Sequence, residues 1–489
     1  MTSTPGVLPV LAIDRESDRP LYRQIYEGYR DAIIDGRLRS GERLPSTRGL
    51  ADELGVSRFP VLNAFDQLLA EGYCESRVGA GTFVATSLPE EVRLSGNGGP
   101  AARATPPAGP REVARGAVAA LDGPPYSRRG HGSFSVGGVA VEEFPFRTWA
   151  TLLARRARKL GPGRVHYGPA LGLPKLRTAI AAYLRAARGV RCEPEQVMVV
   201  SGSQQALDAT ARVLLDPGSP VWVEEPGYWG AQDVLRVAGA RLEPVPVDSD
   251  GLDVAAGIDR APAARAVFVT PSHQFPLGVT MSASRRLRLL DWASRSGAWV
   301  IEDDYNSEYR YESQPITALQ GLDRDARVLY IGTFSKVLSP ALRLGYLVLP
   351  VDLVQRFTAV RHIMDISPPT FVQEVLADFL TEGHFARHLR RTRKLYRQRR
   401  SALVEALEAE LGDGLEVLGE RAGLHLVVAL PAGVDDREIS HRAAAEGLHV
   451  LALSSCFLGP RRRTGLVLGY GGVSVEEIPD AVRRLCRLL

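Results

Sequence analysis

Residues 331–346 read IGTFSKVLSPALRLGY. Lys336 follows a short β-branched strand, VLYI, and sits among small hydroxyl residues. A lysine held at a strand end in this way can condense with an aldehyde cofactor as a Schiff base, an internal aldimine. Pyridoxal 5′-phosphate is such an aldehyde, and it makes three further demands. It needs donors for its phosphate, a carboxylate for its ring nitrogen, and a side chain against its ring face.

The same chain offers a candidate for each demand. SGSQQALD follows the strand VMVV and opens a helix, so the backbone N–H groups of Ser203 and Gln204 can meet a phosphate, helped by the helix dipole. WVIEDDY ends a strand in acids. A buried carboxylate is costly without a cationic partner, and a protonated pyridine suits Asp303. Tyr305 can donate to the ring oxygen, and Tyr228, in EEPGYWG, can stack on the ring. Arg343, seven residues after Lys336, can clamp phosphate. Each residue alone has another account. Lys336 could be a solvated strand-end lysine, and Asp303 could cap a helix, with Asp304 an equal alternative for the ring nitrogen. Tyr228 could be a core-edge aromatic, Arg343 a structural ion-pair member and Ser203 only an N-cap.

These residues need elements to position them. From about residue 131 to 489, short β-rich runs (VMVVSG, PVWVEEP, AVFVTP, WVIEDDY, VLYIGTF) alternate with helical stretches or loops. That pattern predicts an α/β layer with a mostly parallel central sheet. Residues 87–130, rich in Gly, Pro and Ala, read as a linker. Residues 20–86, within a domain expected over 15–86, are dense in helical periodicity. Leu21, Ile25, Tyr29 and Ile33 lie four apart, Ser46 and Ser57 are expected N-caps, Gly55 breaks the chain, and Pro60 falls in a first helical turn. YCESRVGAGTFVA then reads as a hairpin with Gly79 and Gly81 at its tip. Two short helices joined at a glycine and followed by a hairpin predict a winged helix-turn-helix.

That N-terminal string, from LYRQIYEGYRD to GAGTFVA, closely resembles the GntR-type winged helix. The resemblance implies that Arg43, Ser46, Arg48, Ser57, Arg58 and Gly81 contact double-stranded promoter DNA, with Arg58 reading bases. Pro60 and Phe65 stand where that family often has threonine and tyrosine, so base preference is not transferred. Residues 1–90 hold ten Arg against thirteen Asp and Glu, so any basic face is local. A helical dimerisation module is the competing account.

The strings VHYGPALGLPKLRTAI, VVSGSQQALD, EEPGYWGA, TPSHQFPLG, IEDDYNSE and GTFSKVLSPALRLGY, in that order, resemble fold-type I aminotransferases. The resemblance implies phosphate contacts from Ser203 and Gln204, joined by Thr333 and Ser335, with Asp303 on the pyridine nitrogen and Lys336 on the aldehyde. It places His273 or Gln274 near the ring oxygen, in HQFPLG where many such enzymes have HNPTG. Tyr167 is implied to reach a partner's phosphate in a homodimer. A GntR-type reader fused to such a body is similar to the MocR/GabR regulators. The implied function is a transcriptional regulator that senses a small-molecule effector, either an amino compound or pyridoxal phosphate itself with control of vitamin B6 synthesis. A working aminotransferase that carries a DNA reader is the alternative. GABA-responsive relatives carry arginine two residues after the stacking tyrosine, and Gly230 occupies that position here, which points away from GABA. Arg461 to Arg463 are candidates for a second carboxylate site.

Composition narrows the class. The chain has 489 residues, is 45% hydrophobic and 24% charged, and carries a formal charge of +4, so it is multidomain without a global field. Cys74, Cys192, Cys456 and Cys486 are scattered with no CxxC, so neither a metal site nor a disulfide framework is expected. No apolar run spans a membrane and no signal peptide is read, so a cytoplasmic location is expected. Residues 387–400, RHLRRTRKLYRQRR, hold eight basic residues and no acid, which reads as a solvated helix face or an auxiliary DNA contact.

Overall fold

The computed structural model describes residues 13–86, 114, 116, 132–159, 161, 166–311, 316–412, 416–419, 421–460 and 463–489. The chain divides into two compact units, residues 1–111 and 112–489. Nearly all of the expected linker lies outside the described residues.

In the first unit α1 (Leu21–Ile34), α2 (Thr47–Leu54) and α3 (Arg58–Ala70) enclose a small core. Ile25, Tyr29 and Ile33 of α1 meet Val61, Phe65 and Leu68 of α3, with the Tyr29 and Phe65 rings edge-on at 5.5 Å. The Ser46 hydroxyl accepts from the Gly49 N–H at 3.1 Å, which caps α2. Gly55 ends α2 in the left-handed conformation (φ 63°), which glycine adopts at little cost. Ser57 occupies the N-cap position of α3 without a side-chain capping bond, a departure from the expected cap, so its hydroxyl is not consumed by the helix. The hairpin pairs β1 (Cys74–Arg77) with β2 (Gly81–Val84), antiparallel.

The second unit is built on an eight-stranded sheet in the order β3-β10-β9-β8-β7-β4-β5-β6. Its strands are β3 (Val197–Val200), β4 (Pro220–Glu225), β5 (Arg241–Asp248), β6 (Gly251–Leu252), β7 (Ala266–Val269), β8 (Trp299–Asp304), β9 (Val328–Thr333) and β10 (Gly345–Val348). Pairs β4·β5, β4·β7, β7·β8 and β8·β9 are parallel, whereas β10 runs antiparallel to both β9 and β3. The five sequence-predicted strands are β3, β4, β7, β8 and β9. They read as unbroken apolar runs because helices cover both faces of the sheet.

Helices α4 (Phe146–Ala157) and α5 (Pro174–Arg188) precede the sheet. Along the crossovers lie α6 (Ser203–Leu214), α7 (Trp229–Val237), α8 (Val254–Arg260), α9 (Ala283–Ser296) and α10 (Leu319–Leu322). After β10 come α11 (Val354–Asp365), α12 (Thr370–Thr381) and the 28-residue α13 (His384–Leu411). A second, antiparallel sheet, β11-β12-β14-β13, closes the chain. Its strands are β11 (Val417–Leu418), β12 (His425–Leu430), β13 (Leu451–Ala452) and β14 (Thr464–Gly469), accompanied by α14 (Asp436–Ala445) and α15 (Ile478–Cys486).

The basic run 387–400 lies on α13 but is not uniformly solvated. Arg399 is buried against Glu142 and the Gly471 carbonyl, Arg391 pairs with Glu143 at 2.7 Å, and Arg393 donates to the Glu308 carbonyl at 2.9 Å. Arg387, Arg390, Lys394 and Arg397 remain exposed. The run therefore divides between tying α13 to its neighbours and facing solvent.

Candidate functional site

The carboxyl ends of the parallel strands converge on one cavity of about 240 Å³, where a sheet of this type binds ligands. Its first wall is an anion cradle. β3 runs into Gly202, whose φ of +105° lets the chain turn into α6 at Ser203. A β-carbon on Gly202 would stand 3.4 Å from Arg343 Nη1, so the guanidinium lies flat on this turn. Arg343 itself is left-handed (φ 49°), a conformation that non-glycine residues adopt at a cost and that aims its side chain back at the turn. Ser203, Gln204, Thr333 and Ser335 also line the cavity, and the Ser335 N–H donates to Thr333 Oγ1 at 3.1 Å. A helix N-terminus, hydroxyls and a guanidinium together suit a phosphate.

The opposite demand falls on β8. Adjacent residues of a strand point to opposite faces, and this separates Asp303 from Asp304. Asp304 Oδ2 accepts from Arg188 Nε at 2.8 Å and from the Tyr330 hydroxyl at 2.6 Å. Asp303 faces the cavity, and its Oδ1 is buried with no hydrogen-bond partner. Burial pushes the Asp303 carboxyl up to about 7; Asp304 and Glu224 add to the rise, and Lys336 opposes it. Asp304 Oδ1 is likewise unpartnered, so it is the position of Asp303 on the cavity wall that fits it to a protonated ring nitrogen.

Lys336 enters the same cavity, and its Nζ donates to the Gly137 carbonyl at 2.9 Å. A β-carbon on Gly137 would come within 2.6 Å of that nitrogen, so only glycine leaves room for the amine. Amine, carboxylate and anion cradle thus share one chamber, as pyridoxal 5′-phosphate requires.

The side walls match the expectations in part. Tyr228 lines the cavity and receives a hydrogen bond from Gln204 Nε2 at 3.2 Å. The Tyr305 hydroxyl donates to the His273 carbonyl at 3.0 Å and lies 3.1 Å from His273 Nδ1. Neither His273 nor Gln274 lines the cavity itself; His273 stands behind Tyr305, which does. Gln274 donates to Glu224 Oε2 at 3.2 Å and to the Pro226 carbonyl at 2.9 Å, beneath the site, because buried Glu224 needs donors more than the cavity wall does. Phe275 takes the wall position instead. Tyr167, expected to serve a partner's site, is 80% exposed and does not line the cavity of its own chain. Arg461 and Arg462 lie outside the described residues, and Arg463 is exposed. Several lining residues had no sequence signal: Gly137, Thr270, Asn306, Leu424 and His425 arrive from distant segments.

In the first unit, Arg43, Ser46, Arg48, Ser57, Arg58 and Gly81 are all exposed. Arg43 Nε would be 3.2 Å from a β-carbon on Gly81, which has φ +110°, so the guanidinium rests on the wing where only glycine fits. Arg58 Nε donates to Thr47 Oγ1 at 3.2 Å, which ties the starts of α2 and α3 together. Phe59, not singled out from the sequence, is 70% exposed at the start of α3.

An exposed helix start beside a hairpin wing defines a DNA reader, and the converging strand ends define an aminotransferase-type body. The family models agree: residues 21–84 match "Bacterial regulatory proteins, gntR family" and residues 136–485 match "Aminotransferase class I and II". The chain belongs to the MocR-type regulators, in which a gntR-family reader is fused to a class I and II aminotransferase body. It is 42% identical to the "probable rhizopine catabolism regulatory protein MocR" of Rhizobium meliloti, covering 97% of this chain and 95% of that one. It is 32% identical to the pyridoxine biosynthesis transcriptional regulator PdxR of Corynebacterium glutamicum, covering 97% and 98%. Among solved structures, Thermus thermophilus LysN, an alpha-aminoadipate aminotransferase complexed with N-(5′-phosphopyridoxyl)-L-leucine, is 33% identical. It has a TM-score of 0.67 and covers 73% of this chain and 91% of its own. Pyrococcus horikoshii kynurenine aminotransferase, solved with PMP, gives a TM-score of 0.68 at 29% identity and covers 73% and 90%. The cofactor of the body is pyridoxal 5′-phosphate.

Proposed function

We propose that the chain is a pyridoxal-phosphate-dependent transcriptional regulator whose body reads a small ligand and whose gntR-type unit reads promoter DNA. The observation that carries this is the pairing of Lys336 with the unpartnered oxygen of Asp303 in one chamber with the Arg343 cradle. Bound there, the cofactor supplies an electrophilic aldehyde carbon for amines. Lys336 would hold that carbon, and Asp303 would keep the ring nitrogen protonated. Ser203, Gln204, Thr333, Ser335 and Arg343 would anchor the phosphate, and Tyr228 would cover the ring face. Tyr305 would stand by the ring oxygen, with His273 behind it.

The protein is proposed to act in the cytoplasm as a homodimer, with Tyr167 reaching the partner subunit. Ligand binding would change the geometry between two readers and hence their fit to paired half-sites. A tenfold regulatory effect needs about 1.4 kcal/mol of differential binding, which one gained or lost ion pair can supply. Arg43, Arg48 and Arg58 would grip the duplex, with Ser46 and Ser57 at helix starts on phosphate.

The test is direct. Purified protein should show a visible absorption band and, after borohydride, a pyridoxyl mass on Lys336. Lys336→Ala should lose both and still shift a promoter fragment. Absence of the mass from protein supplied with the cofactor would end this reading. A working aminotransferase remains the second reading, supported by the 33% identity of the body to a 2-aminoadipate transaminase of Thermus thermophilus. Sustained turnover with a keto-acid acceptor would favour it.

A further inference from the structure

We propose that Gln205, held in place by Asp365 and the buried Arg361, is a positioning residue that fixes the phosphate cradle. This inference rests on the cofactor reading above and deepens it. None of these three residues lines the cavity, so each acts on the cofactor through the turn that joins β3 to α6.

The turn needs support from outside itself. Its central residue, Gly202, takes φ +105°, and glycine has no side chain with which to hold that conformation. Gln205 supplies the hold. It is the third residue of α6, and its Oε1 accepts from the Ser201 N–H at 2.7 Å, so the side chain reaches back over the helix start and spans Gly202. That is the reach of the third helical residue in a capping box. The Ser201 N–H is thereby satisfied inside the protein, and the N–H groups of the first helical turn are left for the phosphate. Arg343 bears on the same glycine from the cavity side.

A glutamine amide on a flexible stem needs an anchor of its own. Gln205 Nε2 donates to Asp365 Oδ2 at 3.1 Å. With an N–H donor on one side and a carboxylate on the other, only one of the two amide orientations satisfies both neighbours. Asp365 ends α11, which packs on α6. Its Oδ1 lies 3.0 Å from Arg361 Nε, one turn back on the same helix. Arg361 is fully buried. The contact lacks hydrogen-bond alignment, so charge holds the pair, and a buried guanidinium deprived of its carboxylate is costly. Arg361 therefore keeps a carboxylate that is 37% exposed from swinging into water. The order Arg361, Asp365, Gln205, Ser201 runs from the interior to the cradle.

The test separates the phosphate from the aldehyde. Cofactor-free full-length protein is titrated with pyridoxal 5′-phosphate and with pyridoxal, which carries the aldehyde and no phosphate. Dissociation constants are read from the visible band. Gln205→Leu is expected to weaken pyridoxal 5′-phosphate about tenfold, or about 1.4 kcal/mol, and to leave pyridoxal within about twofold. Two double variants both lack the buried charge and differ only at residue 365. Arg361→Met with Asp365→Leu should reproduce the loss of about tenfold. Arg361→Met with Asp365→Asn keeps an oxygen for Gln205 and should stay within about threefold of the parent. Equal loss for both aldehydes, no loss for pyridoxal 5′-phosphate, or equal behaviour of the two double variants would overturn the proposal. A parent that forms no band with either aldehyde would instead sink the cofactor reading on which it rests.

Discussion

Arg188 and Asp304 form a closed ion pair, 2.8 Å apart, with side chains 2% and 1% exposed. This pair explains the division of labour on β8. Arg188 also donates to the Ile316 carbonyl and to Ser272, so it braces the floor of the site, and Asp304 is spent on holding it. Asp303, one residue earlier on the opposite face, is left without such a partner.

Removing the Asp304 charge should therefore be a structural lesion. Asp304→Asn leaves Arg188 uncompensated in the interior and is expected to cost about 3–5 kcal/mol of stability. Denaturant titration measures it. Protein that remains folded should still take up cofactor.

Asp303→Asn should behave in the opposite way. In the cofactor-free protein the folded Asp303 carboxyl titrates near 7, against an ordinary 3.8. Between those values the folded chain keeps a proton that the unfolded chain has released, so stability falls as pH rises through that window and levels off above it. The asparagine variant lacks this penalty. Its cofactor-free form should be more stable than the parent by about 2–4 kcal/mol at pH 8, with the gap closing by pH 4. Cofactor affinity should fall at least tenfold. Thermal melts at several pH values, with and without cofactor, check both signs.

A third site is purely structural. The Asp378 carboxylate accepts from Arg155 at 2.9 Å, Arg156 at 2.7 Å and Lys175 at 2.5 Å. Despite its burial these cations hold its pKa well below the ordinary range. Its stabilisation is present above pH 4 and is lost as pH falls. Asp378→Asn should cost about 3 kcal/mol at pH 7 and much less near pH 2, measured by urea unfolding.

For the reader, Gly81→Ala forces a side chain into both a left-handed backbone and the Arg43 guanidinium. Promoter binding should weaken about tenfold while the cofactor band stays unchanged. Arg43→Ala should lower the slope of log affinity against log salt by about 1. An unchanged slope would remove Arg43 from the phosphate contacts.

The chain discloses its chemistry where residue type and local turn coincide. Lys336 after β9, Ser203 after β3 and the acids ending β8 are each readable from a dozen residues. The choice between Asp303 and Asp304 was not, because it depends on Arg188, 116 residues away. β5 escaped the sequence reading because Pro244 and Pro246 interrupt it. It tolerates them because its far side pairs only with the two-residue β6. β10 escaped because it reverses direction within an apolar run. Gln274 turns to Glu224, on β4, and Phe275 lines the cavity, because the needs of Glu224 are invisible from the HQFPLG string. His425 and Gly137 enter the chamber through tertiary folding, and no spacing marks them.

Gly137 has one more bearing. It lies near the start of the continuous described residues of the body, and its peptide oxygen holds the Lys336 amine. Any chemistry at the amine begins by giving up that carbonyl. The opening stretch of the body is thus itself a party to whatever happens at Lys336.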